Sequence, residues 1–255
     1  MKANPRNLLD LFGNSLRYVV PIFQRHYVWN KERQWESLWE DIIEKLTRRL
    51  KKEKVTPHFL GALILDAVRK QSTREVTRFL VIDGQQRITT TQLILAALRD
   101  HTKERQFDKL ADAMTRYLFN PDPDLMEDSD AEIYKVWPTQ FNRKVFCDIL
   151  NAASFQRVNQ LYPLVRKARR RKYEPRDRLV EAYVYFGERI RDACTTLNSD
   201  YPVEDILLEI FGVLKDDFAV VEIVLDEHDD SQEIFNSLNA KAEPLSQSDL
   251  LRSFI

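Results

Sequence analysis

Glycine is scarce in this chain, with five in 255 residues, and the shortage removes one large class of phosphate-binding machinery. Gly-rich loops cradle phosphates because residues without a Cβ let backbone N–H groups close around an anion. The Gly-x-x-x-x-Gly-Lys-Ser/Thr pattern of such loops is absent. Cysteine is scarcer still. Cys147 and Cys194 form no Cys-x-x-Cys pair, and His26, His58, His101 and His228 are scattered, so no zinc site is expected. No apolar run is long enough to span a bilayer and no signal-peptide pattern begins at Met1, so a cytoplasmic protein with no membrane partner is expected. Neither sign of charge dominates, since 39 Lys and Arg face 40 Asp and Glu. Partners must therefore be inferred from where charges cluster rather than from their sum.

The composition that remains, 44% hydrophobic and 31% charged, can build a sizeable core under a solvated surface in one or two domains. Its most informative stretch is Val81-Ile82-Asp83-Gly84-Gln85-Gln86-Arg87-Ile88-Thr89-Thr90. Val76 to Ile82 is rich in β-branched and aromatic residues and reads as a buried strand, closed by an Asp83-Gly84 turn. From Gln85 the period changes. Ile88, Thr91, Leu95 and Leu98 recur at helical spacing, and Leu93, Ile94, Ala96 and Ala97 make most of the remaining surface apolar, which predicts a buried helix. The first-turn N–H groups of such a helix lack intrahelical acceptors and favour an anion. Arg87 in that turn offers a guanidinium suited to phosphate, Gly84 permits close backbone approach, and Asp83 can hold a metal ion or a water. A structural reading competes: Asp83 caps the helix and Arg87 pairs with a neighbouring carboxylate. The stretch by itself leaves both open.

A second segment, Val20-Pro21-Ile22-Phe23-Gln24-Arg25-His26-Tyr27-Val28-Trp29, precedes an amphipathic helix. Pro21 fixes an extended entry, Gln24 and Arg25 supply donors for phosphate or base edges, and Tyr27 and Trp29 supply aromatic faces. Alternatively the aromatics are core and Arg25 is in a surface ion pair; the combined expectation is that Trp29 packs while Gln24 and Arg25 face a ligand. A third segment runs Ile234-Phe235-Asn236-Ser237-Leu238-Asn239, followed by Pro244-Leu245-Ser246 and Asp249-Leu250-Leu251.

With these three segments the chain resembles, from Leu8 onward, the N-terminal domain family of the GmrSD type IV restriction enzymes, also found in the phage-defence proteins SspE and BrxU. The signatures are Pro-x-x-Gln-Arg-x-Tyr-x-Trp and Asp-Gly-Gln-Gln-Arg. The resemblance implies a ParB and sulfiredoxin-like fold in which the second motif binds and hydrolyses nucleoside triphosphate, in proteins that recognise modified foreign DNA. On that reading the catalytic candidates are Asp83, Gln85, Gln86 and Arg87. The nucleotide-binding candidates are Gln24, Arg25, Tyr27, Gly84, Thr89 and Thr90. GTP or ATP is the expected nucleotide, with Mg²⁺ at Asp83, and either Gln85 or Gln86 is expected to orient the attacking water. Two positions depart from the family pattern: Thr91 stands for a leucine and Ala242 for a glycine. The second loses easy access to positive φ at its turn.

The expected fold class is α+β, a small mixed β-sheet with helices forming a ParB-like core over residues 1–103, followed by a mainly helical region over 104–215. Residues 216–255 hold a returning strand and the C-terminal family motif. Along the chain, Asn4-Pro5 is read as a helix start, Arg17 to Val20 as a strand, and Trp35 to Leu50 as a helix with a broad apolar stripe. Phe59 to Val68 is read as a strand with Gly61 at a close approach, pairing with Val76 to Ile82 through the polar loop Arg69 to Arg74. Helices are expected over Glu104 to Leu118, Gln140 to Leu150, Asp177 to Leu197 and Val203 to Leu214, then a strand over Phe218 to Leu225. Leu179, Tyr183, Phe186, Ile190, Ala193 and Leu197 form a seam, most simply a core seam within the chain.

Two basic runs bear on partners. Lys45 to Lys54 continues an amphipathic helix and is read as a solvated face, whereas Arg166 to Arg178, with Arg169, Arg170, Arg171 and Lys172 at its centre, is the DNA-binding candidate. Asp226, Glu227, Asp229 and Asp230 would gather magnesium only if folded near Asp83. The sequence stops inside an apolar helical pattern at Ile255, so a longer protein is expected, with a nuclease domain or associated subunit beyond this segment and no nuclease motif within it. Homodimerisation is a further expectation. The functional expectation is a nucleotide-binding, NTP-hydrolysing regulatory domain acting on modified foreign DNA; the alternative is a ParB-like nucleotide- or DNA-binding module without turnover. The discriminating geometry is whether Arg25 and Arg87 converge on one pocket.

Overall fold

In the computed structural model, which describes residues 2–166, 173–226 and 228–239, the chain builds one mixed sheet. Among these residues the strands are β1 (Lys2–Asn7), β2 (Leu16–Val19), β3 (His58–Val68), β4 (Thr77–Asp83), β5 (Val136–Trp137) and β6 (Phe218–Val224), in the order β1-β6-β3-β4-β2-β5. β3 and β4 are antiparallel, as their polar connection predicts, while β6 runs parallel to β3. β2 runs parallel to β4. The carboxyl ends of β2 and β4 therefore lie side by side, which brings the segment after Val20 next to the turn at Asp83.

Helices cover the sheet as the α+β expectation requires: α1 (Glu36–Leu50), α2 (Gln85–Glu104), α3 (Asp108–Thr115), the short α4 (Ser129–Glu132), α5 (Gln140–Ala152), α6 (Phe155–Leu161), α7 (Arg178–Leu197), α8 (Val203–Asp216) and α9 (Ser231–Asn239). α2 is buried along nearly its whole length, packed against α3 and α7, with polar side chains such as Thr90, Gln92 and Asp100 buried beside its apolar ones. Asp177 caps α7 by accepting the Leu179 N–H at 2.8 Å. The α7 seam is internal, with Leu179, Tyr183, Phe186 and Ile190 fully buried. One apolar cluster runs from Leu8 to Val220 on this side of the sheet. A smaller cluster of Ile64, Ile82, Leu225 and Phe235 occupies the other face, under α9.

Several sequence expectations are corrected. Asn4-Pro5 starts no helix: β1 pairs antiparallel with β6 in a register that sets Pro5 opposite Val221, and the short helix comes at Leu8–Phe12. An edge strand accepts proline because it needs ladder bonds on one side alone. The helix expected over Glu104 to Leu118 is broken where α2 ends, with Gln106 at φ 65° before α3 begins. β5 and α6 were not anticipated, since two residues carry no period and a seven-residue helix carries little. The first basic run is not a solvated face throughout. Lys45 is buried and donates to the Thr56 carbonyl at 2.6 Å, and Arg49 joins α1 to α8 through Glu209 at 2.6 Å and Asp217 at 3.0 Å. Arg169, Arg170, Arg171 and Lys172 lie outside the described residues. No helix among the described residues is long and apolar enough to cross a membrane.

Candidate functional site

β4 ends at Asp83, and the chain turns into α2 through Gly84, which takes φ 100° at the N-cap. A Cβ at Gly84 would stand 2.7 Å from Leu63 Cδ1, so both conformation and space require glycine here. Asp83 does not cap the helix. Its carboxylate instead accepts from Arg87 Nη2 at 2.7 Å, and the same nitrogen donates to the Ala62 carbonyl. Gly61, at φ 103° on β3, is the close-approach point that the sequence suggested, but what approaches is Arg87, whose Nη1 would stand 3.0 Å from an added Cβ. Two of the five glycines thus make room for one guanidinium.

The Gln24–Trp29 segment is stapled to this corner by two glutamines. Gln24 is buried and donates from Nε2 to the carbonyls of Ile82 at 2.7 Å and Val81 at 3.3 Å. Gln86 accepts at Oε1 from the N–H groups of Val28 at 2.9 Å and Trp29 at 3.3 Å, and donates from Nε2 to the His26 carbonyl at 3.2 Å. These amides satisfy backbone groups that would otherwise be stranded by the irregular path of residues 24–29. Gln24 and Gln86 both stand in the wall of the adjoining cavity, with their amide groups engaged there by backbone partners.

Tyr27, Thr89 and Thr90 lie behind the corner, away from the cavity wall. The Tyr27 hydroxyl and Thr90 Oγ1 are 2.7 Å apart, Trp35 Nε1 donates to that hydroxyl at 2.9 Å, and Thr90 donates to the Gln86 carbonyl at 2.8 Å. Thr89 is buried. Burial pushes the Tyr27 hydroxyl well above its ordinary pKa, so it stays protonated. A phenol with two partners gains more from the core than from a wet pocket mouth, which is why the aromatic of this motif turned inward.

The cavity itself measures about 140 Å³ and has Arg25, Asp83, Gln85 and Arg87 in its wall, with Trp29 and Phe235 among its apolar members. Arg25 and Arg87 therefore do converge on one pocket. Among the described residues, the side chains of Arg25 and Gln85 have no hydrogen-bond or ion-pair partner, so their donors are available to a ligand. Phe235 comes from α9 and meets Phe23 edge to face, with centroids 5.0 Å apart. This brings the third sequence segment to the same site. Phe23 and Phe235 carried no role in the sequence reading. The signal that could have found them is the amphipathic period of α9, whose apolar face needed a partner.

Among the described residues, Asp83 is the single carboxylate of the cavity wall, with its side chain 48% exposed. No group of three or more His, Cys, Asp or Glu that could hold a metal forms among the described residues. Asp229 and Asp230 instead accept local backbone N–H groups, from Asp226 at 2.8 Å and from Gln232 at 2.9 Å, and Glu227 lies outside the described residues. A lone carboxylate suits Mg²⁺, which keeps several waters and binds largely through substrate phosphates.

A family model described as GmrSD restriction endonuclease, N-terminal domain, matches residues 8–255. Comparison with curated proteins gives no match.

Proposed function

Because the chain belongs to the N-terminal domain family of the GmrSD restriction endonuclease, a restriction and phage-defence family, we propose that it is a nucleotide-binding, NTP-hydrolysing regulatory domain whose nucleotide state is coupled to recognition of modified DNA. The observation that carries this reading is the convergence of Arg25 and Gln85, two donors without partners among the described residues, with the Asp83–Arg87 pair at the amino end of α2. Such an end favours anions through its free N–H groups and its dipole.

The cavity is small against the roughly 300–1,000 Å³ of whole-ligand sites. GTP or ATP would therefore enter by its terminal phosphate, with sugar and base at the mouth beside Trp29. Arg25 and the N–H groups of Gln85 and Gln86 would hold the phosphate oxygens. Arg87 would exchange its bond to Asp83 for a phosphate oxygen, stabilising charge as it develops. The released Asp83 would take the proton of the attacking water or hold Mg²⁺, whose contribution when bound is to neutralise phosphate charge. Gln85, with its amide uncommitted, would orient the water. DNA cleavage is assigned to a nuclease domain or subunit outside this segment.

The test is phosphate release with each NTP, with and without modified and unmodified DNA, by the wild type and by Arg25→Ala and Arg87→Ala. Arg25→Ala removes no bond among the described residues, so it should keep its melting temperature while turnover falls about 100-fold. Wild-type rates in both folded variants would overturn the proposal. Tight nucleotide binding without release would identify the alternative, a ParB-like binding module that works as a gate.

A further inference from the structure

At the β5 edge of the sheet, outside the cavity wall described above, Arg17 and Arg143 lie over the ring of Trp137, their guanidinium carbons 4.7 and 4.5 Å from its centroid. Arg17 is 8% exposed. Among the described residues neither guanidinium has a hydrogen-bond acceptor or a carboxylate at ion-pair distance, and the Nε of each is buried without a partner. Arg143 belongs to the first turn of α5, whose N-cap Thr139 makes no side-chain cap bond, so helix N–H groups add to the positive field.

The surrounding charges define what this site can take. Arg78 is the register partner of Arg17 on β4 and is already paired, its Nε 3.3 Å from Glu75. Glu132 is buried and accepts the Val76 N–H at 3.2 Å; with Asp128 it lies in the field of Arg17 without touching it. Two unpaired cations partly offset by two carboxylates suit a monoanion better than a phosphate dianion. A guanidinium remains cationic even where burial lowers its pKa, and leaving it without oxygen acceptors is unfavourable, so the missing oxygens are best supplied from outside.

We infer that Arg17 and Arg143, gathered on Trp137, form a second oxoanion site that takes a phosphodiester group of a nucleic-acid backbone. Its place supports two separate ligands. Arg78 precedes Asp83 by five residues on β4, roughly 16 Å at ~3.3 Å per residue, so the strand carries the nucleotide pocket at one end and the phosphodiester site near the other. Guanidinium groups match phosphate oxygens in bidentate geometry, and stacking on an indole fixes their orientation. The inference rests on the reading that this domain meets DNA, and it requires no turnover.

The experiment titrates a short fluorescent duplex DNA against wild type and Arg143→Gln over a range of salt, with Trp emission read in parallel against inorganic phosphate. Arg143 is only half-buried, so Arg143→Gln should fold, and a thermal melt verifies it. Binding about tenfold weaker, with a salt slope lower by about one, supports the site. Arg17→Met should behave alike if it folds. Arg25→Ala should keep the wild-type DNA slope whether or not nucleotide turnover is lost, which separates failure here from failure at the nucleotide pocket. If phosphate shifts Trp emission in the wild type alone and the DNA slope is unchanged by Arg143→Gln, the ligand is a free anion and the nucleic-acid assignment is overturned. Identical slopes with no phosphate response, or no binding by the wild type, overturn the site altogether.

Discussion

The two ends of α2 both bury polar side chains, but they spend those side chains differently. At the carboxyl end Arg99 donates to Asp100 at 2.7 Å and to the Leu150 carbonyl at 2.9 Å, while the Tyr183 hydroxyl donates to the other Asp100 oxygen at 2.7 Å. That network closes on itself and ties α2 to α5 and α7. At the amino end Gln86 and Thr90 are equally committed, yet Gln85 and Arg25 are left facing a cavity. Buried polarity by itself marks architecture; donors left unpaired beside a cavity mark chemistry.

The largest expected effect breaks the closed end. Asp100→Ala strands the Arg99 charge and the Tyr183 hydroxyl in the core, and losing one partner of a buried pair costs about 3–5 kcal/mol. Urea denaturation should show that loss, while nucleotide affinity of the folded fraction stays at the wild-type value. If nucleotide affinity of the folded fraction falls as well, the two ends are coupled and the distinction fails.

Next in size is Gln86→Ala. It removes the acceptor for the Val28 and Trp29 N–H groups and the donor to His26, and leaving such groups unpaired costs about 1–3 kcal/mol. Because those bonds position Arg25 and Trp29, ligand affinity should fall together with stability. A variant that loses affinity at unchanged stability would instead make Gln86 a direct ligand contact.

This distinction also explains what the sequence could and could not reveal. The strand, turn and helix around Asp83 were legible because a β-branched and aromatic run gave way to a helical period across a glycine, and Gly84 indeed carries the positive φ. The convergence of Arg25 with Arg87 was legible from two motifs taken together. The roles of Gln24, Gln86, Tyr27 and Thr90 were not, since a glutamine that staples a loop and one that faces a ligand have the same letter. Their fate is fixed by backbone N–H and carbonyl groups contributed by residues 26–29 and by the end of β4. The Trp137 site was equally hidden: Arg17, Trp137 and Arg143 are brought together by a two-residue strand, too short to show a pattern.

A pH-dependent prediction follows from the same closed end. His101 is buried with neither ring nitrogen partnered, and burial, with Arg105 and Arg191 nearby, lowers its pKa to about 4. Its 4.0 Å approach to Glu104 is therefore no ion pair at neutral pH. The folded state holds the neutral imidazole, so between about pH 6.5 and 4 the unfolded chain binds more protons and stability rises with pH. Stability from this group is full above about pH 6.5 and should fall by roughly 2 kcal/mol between pH 6.5 and 5. Urea melts of His101→Leu should lack that component; an equal slope in the variant would assign the acid sensitivity to other groups.

The smallest effect on stability carries the finest test, because it compares neighbours of one residue type. Gln85 has no partner among the described residues to lose, so Gln85→Ala should change stability by less than about 0.5 kcal/mol. If its amide orients the attacking water, turnover should fall with KM nearly unchanged, since that contact matters in the transition state and not in ground-state binding. Gln86→Ala should instead raise KM along with the loss of stability. Should both variants lose kcat alone, the staple formed by Gln86 would have to open during turnover. Its bonds to Val28 and Trp29 would then belong to the resting state of the site, with residues 26–29 moving on each cycle.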